Sequence, residues 1–168
     1  MVQNAAHISP ASRNFHRVNP VLTKRNTMHS IREQILQEVF VRLADALSPT
    51  PVLRLPTAPV TRNTSPALLL LAESDGVAAT ANGRIDWLLT VRFVALAHGA
   101  QAFAITDQLI VHTHHHLMRD PNLNGLCLGI TPLDCEWELE DIDNTAVAIP
   151  ARFELQYRTL KHDLTSTG

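Results

Sequence analysis

RIDWLLTVRFVALA, residues 84–97, sets Leu89, Val91, Phe93 and Ala95 at every second position. Side chains alternate across a strand, so a period of two predicts one buried face and one wetter face. Just upstream, ALLLLAES, residues 67–74, is a short apolar run bounded by Pro66 and by Asp75-Gly76, as suits a buried strand. The stretch between them, DGVAATANG, is suited to a flexible hairpin connection. The two runs are therefore expected to pair antiparallel.

Working outward, His98-Gly99 ends the strand, and residues 100–118 have helical composition. Ala102, Ile105 and Leu109 form one stripe, widened by Phe103, Ile110 and Leu117. Pro121 stops this helix, and the turn-rich DPNLNGLCLGITP follows it. Two alternating runs come next. Cys135, Trp137 and Leu139 alternate with Asp134, Glu136, Glu138 and Glu140, and Ala151, Phe153, Leu155 and Tyr157 with Arg152, Glu154, Gln156 and Arg158. They predict a second hairpin with one apolar face. Toward the N-terminus, SIRE at Ser30–Glu33 is a capping box that starts a helix running to about Ala46. Its apolar stripe is Ile31, Ile35, Val39, Leu43 and Leu47. Five prolines between Pro49 and Pro66 leave only a loop there, with a short extended piece around Val52–Leu55. The order helix, hairpin, helix, hairpin predicts a two-layer α+β domain. In it a mostly antiparallel, four-stranded sheet carries both helices on one face.

The chain of 168 residues, 45 % apolar and 18 % charged, is long enough to bury a core without staples. No apolar run approaches the roughly 18 residues of a membrane span, so a soluble protein is expected. Two cysteines, Cys127 and Cys135, without CxxC spacing are too few for a disulfide framework and suit a reduced, cytosolic setting. Residues 1–27 carry Arg13, Arg17, Lys24 and Arg25 with no acid, whereas the rest holds ten basic against sixteen acidic residues. The opening segment thus reads as a basic arm or a disordered leader, and residues 28–168 as the domain.

VHTHHHLMRD, residues 111–120, concentrates four of the nine histidines. On a helix His112 and His116 stand one turn apart, with His115 beside them and His114 pointing away. His112, His116 and Asp120 are chemically adequate zinc ligands, but Asp120 precedes Pro121, where helical backbone is disfavoured. No glutamate lies between His112 and His116 to act as a base, so the expectation is a polar helix face with no metal and no cofactor. No GxSxG or glycine-rich phosphate loop occurs among six glycines. Cys135 falls on the apolar face of its predicted strand, where a buried, unreactive thiol is expected. The row Asp134, Glu136, Glu138 and Glu140 reads either as a solvated face offset by Arg152 and Arg158, or as a negative surface past which nucleic acid moves without sticking.

Five stretches carry a further signal: MHSIREQILQEVFVRLADAL, LRLPTAPVTRNTSPALLLLAESD, LTVRFVALAHGAQAF, HLMRDPNLNGLCLGITPLDCEWELED and IPARFELQYRTLKHDLT. In order and spacing, from Met28 onward, the chain resembles the phage tail terminator proteins. The resemblance implies a non-enzymatic virion subunit. It would form a homohexameric ring that caps the head-proximal end of the tail tube, ends tube polymerisation and presents a surface to the head. The implied partners are further copies of the chain, the tail-tube protein and a head-completion or connector protein, with genomic DNA passing through the lumen and no membrane involved. A head-completion or tail-tube subunit is the alternative within the same class, and a histidine-dependent metal protein the alternative outside it. The basic arm and the dense histidines depart from the family's pattern. Within a ring, the proline-rich loop 49–66 and the turn 74–84 are the expected contact elements, and the acidic row is expected near the lumen or at a subunit seam.

Overall fold

The structure is a computed structural model that describes residues 28–54, 64–135 and 146–168. Helix α1 spans Ile31–Ala46 and opens as the sequence predicts, with the Ser30 hydroxyl accepting a hydrogen bond from the Glu33 amide at 3.3 Å. The reciprocal half of the capping box is replaced. Glu33 turns its carboxylate to the Arg54 guanidinium in two hydrogen bonds of 2.7 and 2.6 Å, tying the helix start to strand β1, Val52–Arg54. An acid in a first helical turn already interacts favourably with the helix dipole, so the cation adds to a stabilisation already present.

Strands β2, Ala67–Ala81, and β3, Arg84–His98, form the expected antiparallel hairpin. It is longer than the sequence suggests, because the chain reverses only at Asn82 (φ 51°) and Gly83 (φ 75°). Positive φ at both central residues is the signature of a tight two-residue turn whose twist matches the strands it joins. Residues 75–81, expected as loop, are strand. They are largely exposed and so leave no apolar alternation to read.

Helix α2, Ala102–Met118, leads through a short 3-10 turn at Leu123–Gly125 into β4, Gly129–Cys135, and then come β5, Ala146–Leu160, and β6, Asp163–Thr167. The sheet order is β1-β2-β3-β5-β4, with β6 paired to β5. Among the described residues only the β1–β2 pair is parallel. Six strands among the described residues therefore replace the predicted four. β1 has only three residues in a proline-rich stretch, and β6 is mostly polar, so neither shows an apolar period. The second hairpin does form, with Cys135 opposite Ala151 and Asp134 opposite Arg152. Its first strand, however, begins at Gly129, earlier than the alternation indicates.

Both helices cover one face. Leu89, Val91, Phe93 and Ala95 of β3 and Ala151, Phe153, Leu155 and Tyr157 of β5 are all buried and join Ile31, Ile35, Val39, Leu43, Leu109 and Leu117 in one core. Phe93 and Phe153 meet edge to face at 5.5 Å and 82°, the geometry an aromatic quadrupole favours. Helix α2 buries Ala102, Thr106, Leu109, Thr113 and Leu117, a stripe rotated from the predicted one, so Phe103 is left 48 % exposed. The two buried threonines donate to the helix's own carbonyls, Thr106 to Ala102 at 2.9 Å and Thr113 to Leu109 at 2.7 Å. With their hydroxyls satisfied, their methyl groups serve as core surface.

Candidate functional site

The histidine helix does not assemble a ligand set. His112, His114 and His115 are exposed, His116 is half-buried, and the buried residue in their midst is Thr113. The His115 and His116 rings meet edge-on at 5.4 Å, while His114 lies on another side, its ring 6.0 Å from Phe153. Burial, followed by the neighbouring His115, His112 and Arg119 charges, holds the His116 pKa below the usual imidazole value. Asp120 is engaged elsewhere. Its carboxylate accepts from Arg42 of α1 at 2.9 Å and from the Asn124 amide at 3.1 Å, pinning the loop after α2 to α1. Among the described residues, no three His, Cys, Asp or Glu side chains are grouped so as to hold a metal ion.

Of the predicted acidic row, Asp134 stands on β4 and forms two hydrogen bonds with Arg152 of β5, at 2.8 and 2.5 Å. This pairing pulls its pKa below the usual carboxylate value. Glu136, Glu138 and Glu140, with Trp137 and Leu139, lie outside the described residues, as do residues 1–27 and 55–63. Cys135 is exposed, contrary to the sequence expectation. Its register opposite Ala151 keeps it on the helix-bearing side, as the alternation indicates, but β4 is an edge strand and the core ends before reaching it. Cys127 is the buried thiol. Burial raises its pKa to about 11, and its Sγ donates to the Pro121 carbonyl at 3.3 Å.

The sheet's two long edges are the most distinctive surface. β1 pairs with β2 only along Leu68–Leu70, so among the described residues the outer side of β2 from Leu71 to Ala81 has no strand beside it. Among the described residues β4 is likewise open along its outer side. Val77 on the first edge is 57 % exposed, and Leu133 on the second is 47 % exposed. Neither Leu71–Ala81 nor Gly129–Cys135 contains a lysine, the residue that commonly guards such edges.

With this geometry in view, the fold can be set beside solved structures that share it. A solved chain described as "Virion of native gene transfer agent (GTA) particle" aligns at a TM-score of 0.50 and 11 % identity. The alignment covers 79 % of this chain and 95 % of that one. At that identity the likeness is one of fold. No family model matches the chain, and no curated protein matches it.

The mixed α+β architecture is thus shared with a virion component over nearly that component's whole length. Sequence reasoning missed the polar network at the start of α1. There Asp75 accepts from Arg32 at 3.0 Å and from the Tyr157 hydroxyl at 2.8 Å, beside Trp87, whose indole donates to Thr159 at 3.0 Å. Asp75-Gly76 had the composition of a turn, and only the unexpected length of β2 carries Asp75 under the helix. No helix among the described residues is long and apolar enough to cross a membrane.

Proposed function

We propose that this chain is a non-catalytic structural protein of a phage-type particle, a tail terminator subunit. In this proposal six copies close into a ring at the head-proximal end of the tail tube, end its polymerisation and offer the surface to which a head-completion or connector protein joins. The carrying observation is the fold shared with a gene transfer agent virion chain across 95 % of that chain's length. The ordered stretches from Met28 to Thr165 that resemble tail terminators support it independently. DNA traverses the lumen without specific contacts, and the row Asp134, Glu136, Glu138 and Glu140 lines the lumen or a subunit seam. Repulsion between like charges keeps the polyanion moving.

Electron microscopy of particles made without this protein tests the proposal. The expected result is abnormally long tails that fail to join heads. Tails of normal length with heads that leak DNA would instead assign the chain to head completion and remove the terminator role.

A further inference from the structure

The ring reading leaves open how one copy holds the next, and the sheet supplies an answer that rests on that reading. Strands β2, β3, β5 and β4 are neighbours, and each pair is antiparallel, so the outermost two run in opposite directions. The open edges also lie level with each other. Ala72, Val91, Phe153 and Pro132 share one row across the sheet, and Gly76, Leu88, Gln156 and Gly129 share another. A second copy brought alongside in the same orientation therefore sets its β4 antiparallel to the first copy's β2, with the helices of both on the same side.

We infer that neighbouring copies join by strand addition, the outer edge of β4 in one copy pairing antiparallel with the outer edge of β2, residues 72–81, in the next. Outside Pro132, which has no N–H, and the bulges, the backbone donors and acceptors of antiparallel edges can pair, and adding a strand to an open edge is an established mode of recognition. Such a contact joins two different surfaces head to tail, the type of interface that closes into a ring when the rotation permits. Edge charge does not oppose it. Asp134 at one edge is held by Arg152, and Glu73 at the other is paired with Arg92, so each carboxylate meets the seam already neutralised. Val77 and Leu133 are exposed apolar side chains on the two edges. β1, on Leu68–Leu70, blocks the rest of the β2 edge and confines the added strand to the portion beyond.

In this register Thr131 of β4 stands level with Ser74 of β2, whereas Cys135, the exposed native thiol, stands level with Leu70, which β1 covers. In the full chain with Cys135→Ser, Thr131→Cys is combined one at a time with Ala72→Cys, Ser74→Cys, Val77→Cys or Ala79→Cys, oxidised with diamide and run on non-reducing gels, with sedimentation of the same samples. Cross-strand disulfides need Cα atoms roughly 4.4–6.8 Å apart, so only positions facing residue 131 will link, Ser74 first. The expected result is a ladder of covalent multiples from at least one position, rising to the copy number seen by sedimentation. Restoring Thr131 in the same background should abolish it. Assemblies that sediment as rings yet give no ladder at any of these positions would overturn the seam and leave the ring standing. Covalent dimers of the parent protein through Cys135 alone, with no higher multiples from any variant, would assign β4 to a two-fold contact and also overturn it. A chain that sediments as a monomer at every concentration would remove the ring reading and the seam together.

Discussion

At the scale of single residues, the core sets the largest stakes. Leu43 is fully buried between α1 and the sheet cluster, so Leu43→Ala removes transfer energy and leaves a cavity, together costing about 3 kcal/mol. Urea unfolding should show a lower midpoint with an unchanged slope. Asp163 tests electrostatics. Its carboxylate accepts from the Ser166 hydroxyl at 2.5 Å and from the Thr165 hydroxyl and amide at 2.7 and 2.8 Å, which hold its pKa down to about 2. A carboxyl depressed in the folded state stabilises fully above its unfolded pKa of roughly 3.9 and loses that contribution as pH falls through the folded value. The melting-temperature gap between the parent and Asp163→Asn should therefore be constant near neutrality and close between about pH 4 and pH 2. A gap that persists at pH 2 would show the hydrogen bonds to be independent of ionisation. Leu43 was legible as part of an apolar stripe, but Asp163 was not, because it acts through residues two and three places ahead in a polar stretch without a period.

Among the elements, what could be read was whatever carried a repeat. The stripe Ile31, Ile35, Val39, Leu43 and Leu47 is buried throughout, and the alternation in β3 and β5 names their inward residues correctly. Where a helix buries threonine, composition misleads. Thr106 and Thr113 occupy the inner face of α2 and displace Phe103 outward, since a threonine that bonds its own helix packs much as valine does. Edge strands mislead for another reason. With one side in water, β4 exposes Cys135 on what the alternation marks as its inner face, and the exposed half of β2 was mistaken for a loop. The turn between β2 and β3 provides a direct check. Gly83 has φ +75°, and a Cβ there would meet nothing within 4 Å, so Gly83→Ala costs only backbone strain, about 1 kcal/mol. Thermal unfolding should register that loss, with faster amide exchange at Lys161, whose N–H donates to the Gly83 carbonyl at 2.8 Å.

For the molecule as a whole, the two-layer arrangement was legible because helix and hairpin signals alternate along the chain, whereas the strand count was not, since β1 and β6 owe their pairing to neighbours. The candidate site was legible only in part. The histidines, Asp120 and Asp134 stand where their elements put them, but Asp120 was claimed by Arg42, a partner 78 residues away in sequence that no local pattern announces. The same long reach governs how the protein comes into being. β5 lies between β3 and β4 and is made after both, with Ala146 opposite His98 and Leu160 opposite Arg84. During synthesis the β2–β3 hairpin can zip as soon as it emerges, on a microsecond scale, while β4 waits without an inner neighbour. Non-local pairing of this kind is the slow part of folding. Translation order thus acts as a timer: a nascent chain cannot offer both edges of a finished sheet until β5 has been threaded between them, which keeps half-made subunits out of an assembly.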